Sequence, residues 1–290
     1  MNRVSAYKKR SLWMDVWKRL RRNKAAILGI ILFAVIFLVC VASPLFLSLE
    51  DDVLAINTRN MLEGPSRSNL LGTDELGRDV LARILWGGRT TFLISLSALV
   101  VAFTIGAILG TVSVYYGRYS DAIVMRFVDI IMSIPTVIFM ITLATIMRPT
   151  MTSLIIVVGL GLMPNHARLI RGQVLQVVDN EYIEAVRLQG ASDFKIIMYH
   201  ILPNAISPVI TTVILDISFA VMTVSTLSFL GLGVQAPYPE WGGMLASGRQ
   251  HIRHAPHIST IPGIALVLTL LSLTLVGDGV RDALDPKMKR

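Results

Sequence analysis

Residues 90–116 read TTFLISLSALVVAFTIGAILGTVSVYY, a run of 27 residues without one charged side chain. A helix needs about 20 consecutive apolar residues to cross the hydrocarbon core of a bilayer. The run also contains several Gly, Ala, Ser and Thr residues, which let helices pack closely inside a membrane. This stretch therefore predicts a membrane-spanning helix.

Five other stretches are nearly free of charge in the same way. They are residues 25–47, 127–147, 150–167, 205–234 and 258–277. Only 16% of the chain is charged and 53% is hydrophobic, whereas an ordinary globular domain is roughly 25% charged. This composition excludes a soluble enzyme, a disordered chain and a protein with a single membrane anchor. It predicts an all-α polytopic membrane protein with six transmembrane helices.

The distribution of basic residues predicts how these helices are oriented. The first 24 residues hold nine Lys and Arg and one acid, Asp15, so the positive-inside rule places the amino terminus in the cytoplasm. With six spans, the interior segments carry 19 basic residues and the exterior segments carry 8. Both termini are therefore predicted to be cytoplasmic and residues 48–89 exterior. The membrane accounts for the net charge of +8, and no nucleic-acid partner is predicted.

The predicted helices divide the chain into three parts. Residues 1–24 form a basic cytoplasmic segment, residues 25–89 hold the first transmembrane helix and the exterior segment, and residues 90–290 form a five-helix core. The only cysteine, Cys40, lies in the first span, so no disulfide within the chain is possible.

The longest interior segment, roughly residues 168–204, carries the most information. Residues 179–189 are rich in Glu, Ala, Arg and Leu and predict a short helix. Gly190 suits a left-handed conformation after this helix. A second short helix is predicted at about residues 192–200, with Pro203 breaking it. These residues alone leave two interpretations open, a rigid projection that docks a partner and a plain connecting loop.

Several motifs resemble the permeases of ABC importers. The interior segment contains Glu184-Ala185-Val186, then Gly190, then His200-Ile201-Leu202-Pro203, which is similar to the cytoplasmic pattern of that family. Four further stretches resemble the shorter permease of dipeptide, oligopeptide and nickel importers. They are GTDELGRD at 72–79 with Arg83 and GGR at 87–89, MRFVD at 125–129 with SIP at 133–135, LSFLGLG at 227–233 with PEWG at 239–242, and GDG at 277–279 with RDALDP at 281–286.

The resemblance implies a set of partners in a bacterial inner membrane. Such a permease pairs with a homologous second permease and rests on two ATP-binding cassette subunits, and an exterior solute-binding protein delivers the cargo. ATP and Mg would be bound by the partner subunits. This chain has no Gly-Lys dipeptide, which a phosphate-binding loop requires, so neither catalysis nor a cofactor is predicted for it. The implied ATPase-coupling residues are Glu181, Glu184, Ala185, Arg187, Gly190, Ala191, Asp193, Leu202 and Pro203.

Charged residues inside the spans are candidates for the transport pathway or for contacts between subunits. An acid in the membrane core is costly and suggests function. Asp216 lies near the middle of its span, with a packing role as the alternative. Asp129 lies near the interior end of its span. A salt bridge with Arg126 or with another subunit is there an equal alternative to a role in the pathway. Ser133 belongs to the same group, although small polar residues also serve close helix packing.

The exterior segments carry the candidate contacts with the binding protein, which are Asp74, Arg78, Asp79, Glu240 and Trp241. A role as membrane-interface anchor is open for Trp241. His251, His254 and His257 recur every third residue and have the chemistry to ligate nickel or zinc. Pro256 interrupts any single helix there, and no metal site is predicted.

The cargo is expected to be short peptides. Nickel, a metal chelate, glutathione, sugars and other small solutes remain open. An ion-coupled secondary transporter, with Asp129 and Asp216 as a proton relay, is the alternative from another class. Such transporters commonly contain internal repeats, and this sequence shows none.

Overall fold

The computed structural model describes residues 20–206 and 209–284, which form a helical bundle. Five of its helices are long and apolar enough to cross a membrane, and a bent pair counts as a sixth span. The all-α membrane fold is thus confirmed, and the number six rests on counting the bent pair as one span. The helices are α1 Lys24–Val41, α2 Val80–Tyr115, α3 Arg118–Met132, α4 Thr136–Ile146, α5 Met151–Val178, α6 Glu181–Leu188, α7 Asp193–Ile196, α8 Leu202–Ile206, α9 Ile210–Phe229, α10 Trp241–Gly248 and α11 His257–Leu284.

Helix α2 begins at Val80, ten residues before the charge-free run at 90–116. The Asp79 side chain caps it by accepting a hydrogen bond from the backbone N–H of Ala82 at 2.8 Å, as an N-cap residue does. Arg83 lies inside the helix, with its Nε 3.1 Å from Oδ2 of Asp74. Residues 80–89 of the segment predicted at 48–89 are therefore the first turns of α2.

The predicted helix 127–147 is wrong as a single straight span. Helices α3 and α4 meet at an angle of 87° across residues 133–135. Pro135 has no backbone N–H to continue the hydrogen-bond ladder and disfavours helical geometry at Ile134. The helix breaks at this point, and α4 starts again directly after the proline.

Helix α5 extends beyond the predicted run of 150–167 and ends only at Val178. The sequence run stops at the basic residues Arg168 and Arg171. In the structure both side chains lie on α5 and form ion pairs with acids of α3. Residues 168–178 of the predicted interior segment are therefore the last turns of α5.

Helices α2 and α5 share the most extensive helix–helix contact in the described chain. A Cβ on Gly106 would lie 2.7 Å from Cβ of His166, and one on Gly110 would lie 2.6 Å from the carbonyl oxygen of Ala167. These distances are too short for a side chain, so the two glycines permit the close approach. Such packing is the main source of helix association where lipid removes the hydrophobic driving force.

The bundle has two distinct ends. At one end, the start of α2 meets residues 43–79 and 231–257, which we call the cap. At the other end, residues 181–206 pack against the ends of α2 and α5, and we call them the protruding segment. Most of the predicted basic segment 1–24 lies outside the described residues, as do Pro286, Lys287, Lys289 and Arg290.

Candidate functional site

The protruding segment turns sharply at Gly190. This residue has a φ of +81°, so its predicted left-handed conformation is confirmed. Its N–H donates to the carbonyl of Arg187 at 3.0 Å, and the N–H of Ala191 donates to that of Val186 at 3.4 Å. These two bonds form a Schellman motif, which satisfies the free carbonyls at the end of α6. The angle between α6 and the following helix is therefore set by local backbone geometry.

The second half of the protruding segment differs from its prediction. A π-helical turn, Ile197–Ile201, joins α7 to α8, and the helical path continues through Pro203 to Ile206. The N–H of Leu202 donates to the carbonyl of Ile197 across this wider turn. A proline ring normally collides with the carbonyl four residues before it, and the wider turn precedes Pro203. The predicted break at Pro203 is therefore wrong.

The protruding segment is fixed to the end of α2. The hydroxyl of Tyr115 donates to Oδ1 of Asp193 at 2.7 Å, and the guanidinium of Arg187 lies 5.3 Å from the centre of the Tyr115 ring. Below them, Ile183 and Ile196 are buried in one apolar cluster with residues of α5. Two of the predicted coupling residues, Arg187 and Asp193, thus attach the segment to the bundle.

The protruding segment exposes large apolar side chains, which we call its apolar surface, and the acids Glu181 and Glu184, which we call its acidic edge. Leu188 is 83% exposed, and Phe194 and Tyr199 are each 71% exposed. Large apolar side chains exposed outside the long membrane-spanning helices are candidates for an interaction surface. Several predicted coupling residues, Glu181, Glu184, Ala185 and Pro203, are also exposed, whereas Ala191 and Leu202 are half-buried.

Two ion pairs hold α3 against α5. Arg168 Nη2 lies 2.5 Å from Oδ1 of Asp129, so Asp129 pairs with Arg168 rather than with Arg126. Arg171 binds Asp121 through two bonds of 2.6 Å each, the bidentate geometry that strengthens such pairs. Ser133 lies exposed at the bend after α3, where its hydroxyl donates to the carbonyl of Ile130 at 2.6 Å.

Asp216 lines a cleft of about 310 Å³ between α2, α5 and α9. Its Oδ2 lies 3.4 Å from Nε2 of His166, and its side chain is 31% exposed. His166 is a site residue that was not predicted. The available signal was a lone histidine within an apolar span, but the sequence does not show that a residue fifty positions away would face it. The remaining walls of the cleft are Leu96, Leu99, Val100, Phe103, Thr104, Val213 and Ile217.

The predicted exterior contact residues Asp74 and Arg78 are buried in the cap. Arg78 Nε lies 2.7 Å from Oδ2 of Asp74. Arg83 binds the same carboxylate and also donates to the carbonyls of Val53 at 3.1 Å and Pro237 at 3.2 Å. Asp79 is occupied as the cap of α2 and as the acceptor of a bond from Asn69. Asp74 and Arg78 therefore tie the cap to α2, and their burial argues against the expected contact with a partner, whereas Asp79 is half-buried.

Glu240 and Trp241 are buried where the cap meets the bundle. Glu240 Oε1 accepts bonds from Thr91 at 2.9 Å and Ser225 at 3.3 Å, and its Oε2 accepts from the backbone N–H of Gly243 at 3.0 Å. Burial raises the pKa of the Glu240 carboxyl, and these hydrogen bonds to it act in the opposite direction. The carboxyl connects α2, α9 and α10, so its contact with a binding protein is not supported.

Trp241 is 0% exposed. Its ring nitrogen donates to the carbonyl of Ile84 at 2.8 Å, and its ring packs edge-on against Phe92 with centroids 5.5 Å apart. A Cβ on Gly88 would lie 2.5 Å from the indole ring, so a glycine is needed to receive it. Trp241 is therefore a core residue between the cap and α2, which corrects the expected surface and interface-anchor roles.

The exterior histidines are not brought together as a ligand set. His257 Nε2 lies 3.1 Å from the carbonyl oxygen of Thr73. Across residues 20–206 and 209–284, no group of three or more His, Cys, Asp or Glu side chains is placed to hold a metal ion.

Comparison with known proteins identifies relatives along nearly the whole chain. Residues 102–290 match the family described as binding-protein-dependent transport system inner membrane component. Residues 11–65 match the N-terminal transmembrane domain of oligopeptide transport permease C. A dipeptide transport system permease protein of Alkalihalophilus pseudofirmus is 38% identical, over 96% of this chain and 91% of that protein.

Other relatives show the same extent of similarity. A glutathione transport system permease protein of Pectobacterium atrosepticum is 37% identical, over 97% of this chain and 93% of that one. An oligopeptide transport system permease protein of Bacillus subtilis is 36% identical, over 97% of this chain and 91% of that protein. A solved methionine ABC transporter in an inward-facing conformation has a similar fold, with a TM-score of 0.53 and 20% identity over 71% of this chain and 97% of its own.

Proposed function

We propose that this chain, which belongs to the family of inner membrane components of binding-protein-dependent transport systems, is a membrane subunit of an ATP-driven importer of short peptides. The relatives' names support this cargo, since dipeptides and oligopeptides are peptides and glutathione is a tripeptide. The observation that carries the coupling role is the protruding segment, which is fixed to α2 and exposes Leu188, Phe194 and Tyr199.

The partners proposed are a homologous second permease, two ATP-binding subunits that bind and hydrolyse ATP with Mg, and an exterior solute-binding protein. The protruding segment seats in one ATP-binding subunit through its apolar surface and acidic edge. Because Tyr115 bonds Asp193 and contacts Arg187, movement of the seated segment is passed to α2. Asp129 and Ser133, on the exposed side of α3, face the second permease, and Asp216 lines the pathway.

Uptake into proteoliposomes tests this function. The complete complex is expected to accumulate a dipeptide only when ATP is present inside and the binding protein outside. The His166–Asp216 pair is the feature that would serve a proton-coupled transporter. Uptake that persists without ATP, or that collapses with the proton gradient while ATP is maintained, would therefore replace our proposal with that class.

The proposed orientation puts both termini and the protruding segment in the cytoplasm and the cap outside, in a bacterial inner membrane. Ser66, in the cap, and Ser192, in the protruding segment, are both exposed. A cysteine at Ser66, with Cys40 replaced by Ala, is expected to react with a membrane-impermeant thiol reagent in cells whose outer barrier is permeabilised. A cysteine at Ser192 is expected to react only after the inner membrane is opened. The reverse pattern would invert the topology.

A further inference from the structure

Two clefts lie along the same face of α2. The cleft at the cap end has a volume of about 530 Å³, and its lining from α2 is Trp86, Arg89, Thr90 and Leu93. The deeper cleft, with Asp216, is lined from α2 by Leu96, Leu99, Val100, Phe103 and Thr104. Spacings of three and four residues place side chains on one side of a helix. Both clefts therefore lie on one side of α2, one at the cap and one toward the middle of the bundle, and we call the two clefts together the groove.

The cap end of the groove carries a positive charge at Arg89. Its guanidinium lies 5.5 Å from the centre of the Trp86 ring, an arrangement that holds the cation without neutralising it. No acid in the described part of the chain lies within ion-pair distance of it. Leu49 also lines this cleft, and the acids that follow it in the chain, Asp51 and Asp52, accept hydrogen bonds from Ser48.

The other polar groups at this end favour an anion. Thr150, the N-cap of α5, and Met151, its first residue, line the cleft, and a helix start carries partial positive charge. Tyr238 is 55% exposed at the rim and brings a hydroxyl group. Planar carboxylates match the fork of donors on a guanidinium. A carboxylate is therefore the ligand that fits this end.

The deeper end of the groove carries the opposite charge. Asp216 is the acid of the deeper cleft, and its carboxylate is 31% exposed between apolar walls. His166 Nε2 lies 3.4 Å from its Oδ2, and an ammonium group is the natural partner of the part of the carboxylate that remains exposed. From Arg89 to Val100, α2 advances about 16 Å at 1.5 Å per residue, which is longer than a dipeptide. A dipeptide would therefore meet the two charges one after the other.

We infer that this groove receives a zwitterionic solute, with Arg89 binding its free carboxylate near the cap and Asp216 binding its free ammonium deeper in the bundle. The inference rests on the proposed import of short peptides. It adds that the groove recognises the free amino terminus and the free carboxyl terminus of the peptide.

The test uses binding to the complete membrane complex, without the binding protein, in nanodiscs of net-neutral lipid. The probe is radiolabelled Ala-Phe, displaced by unlabelled Ala-Phe, by its C-terminal amide or by its N-acetyl form. Without the binding protein, any selectivity belongs to the membrane subunits. In the unmodified complex, each blocked form is expected to bind about tenfold more weakly than free Ala-Phe only at the charge it cannot meet, Arg89 for the amide and Asp216 for the N-acetyl form, so that each displaces only part of the bound probe. This comparison does not depend on the stability of any variant.

Substitutions then test the contribution of each charged residue separately. Arg89→Gln is expected to weaken the binding of free Ala-Phe in the cleft at the cap about tenfold. The complex then no longer prefers free Ala-Phe over its C-terminal amide. Asp216→Asn is expected to remove only the preference over the N-acetyl form, in a complex that still assembles on size-exclusion chromatography. Arg249→Gln is the matched control, since Arg249 makes the same contact with Phe229, at 5.5 Å, but does not line the groove.

Three results would contradict the proposed binding of a zwitterionic solute in the groove. The first is equal displacement by free and blocked peptides from the unmodified complex, and the second is unchanged selectivity in Arg89→Gln. The third is an effect of Arg89→Gln confined to the half-saturating concentration of binding protein during uptake, which would make Arg89 a protein-docking residue. Failure of the import proposal looks different, because the unmodified complex would then show no ATP-dependent uptake whatever its binding selectivity.

Discussion

Replacing Trp241 with alanine is expected to destabilise the protein by about 3–5 kcal/mol, the usual cost of removing a buried tryptophan. The indole is fully buried, bonded to the carbonyl of Ile84 and packed against Phe92. Its loss would leave a cavity where the cap meets α2 and remove the hydrogen bond from the indole to the Ile84 carbonyl. The measurement is the temperature at which the purified complex loses its size-exclusion peak after heating in detergent.

Trp241→Phe is the matched control for this position. It keeps a ring against Phe92 but loses the hydrogen bond to Ile84, so an intermediate loss of stability is expected. An alternative result would restore the role in binding-protein contact that the sequence suggested. In that case Trp241→Ala would keep its thermal stability, and only the half-saturating concentration of binding protein would rise.

Altering the protruding segment is expected to uncouple transport from ATP hydrolysis. Gly190 has a φ of +81°, and no atom lies within 4 Å of the position that a Cβ would occupy there. Gly190→Ala therefore meets backbone strain of about 1 kcal/mol rather than a clash inside the chain. The strain changes the angle after α6 and impairs uptake while leaving the amount of protein in the membrane unchanged. Glu184→Lys reverses a charge on the acidic edge, and co-purification of the ATP-binding subunits is expected to weaken about tenfold or more.

Matched variants separate these effects from simple damage. Gly190→Asn is expected to retain more uptake than Gly190→Ala, because asparagine tolerates the left-handed conformation better. Gly172→Ala is a control on α5, where a Cβ also meets open space and the backbone is helical. Glu184→Gln removes the charge without reversing it and is expected to have a smaller effect. If Gly190→Ala and Glu184→Lys both show normal co-purification and normal substrate-stimulated ATP hydrolysis, residues 181–206 are an ordinary connection.

Hydropathy and turn-forming residues predicted the parts of this fold that are determined by residues close together in the sequence. Long apolar runs indicated the spans, and glycine after a short Glu- and Ala-rich helix indicated the turn at Gly190, whose φ the structure confirms. Local signals failed where a distant partner changes the meaning of a residue. Arg168 ended the predicted span at 150–167, yet Asp129 pairs with it from another helix.

The exterior motifs were misjudged for the same reason, because the sequence does not show which distant residues bury them. Charged and aromatic residues such as Asp74, Glu240 and Trp241 are typical of exposed contacts when they occur in a segment between spans. Their burial depends on Arg83, Thr91 and Ile84 of α2, which come from a different part of the chain. The His166–Asp216 pair was missed for the same reason, because fifty residues separate its members.

Helix α2 has a mechanical consequence for the whole molecule. Its 36 residues span about 54 Å at 1.5 Å per residue, whereas the hydrocarbon core of a bilayer is about 30 Å thick. One end is bound into the cap through Arg83, and the other holds the protruding segment through Tyr115. A rod of this length that pivots at its middle by about 10° carries each end sideways by about 5 Å, in opposite directions. A small tilt therefore displaces both faces of the membrane protein together.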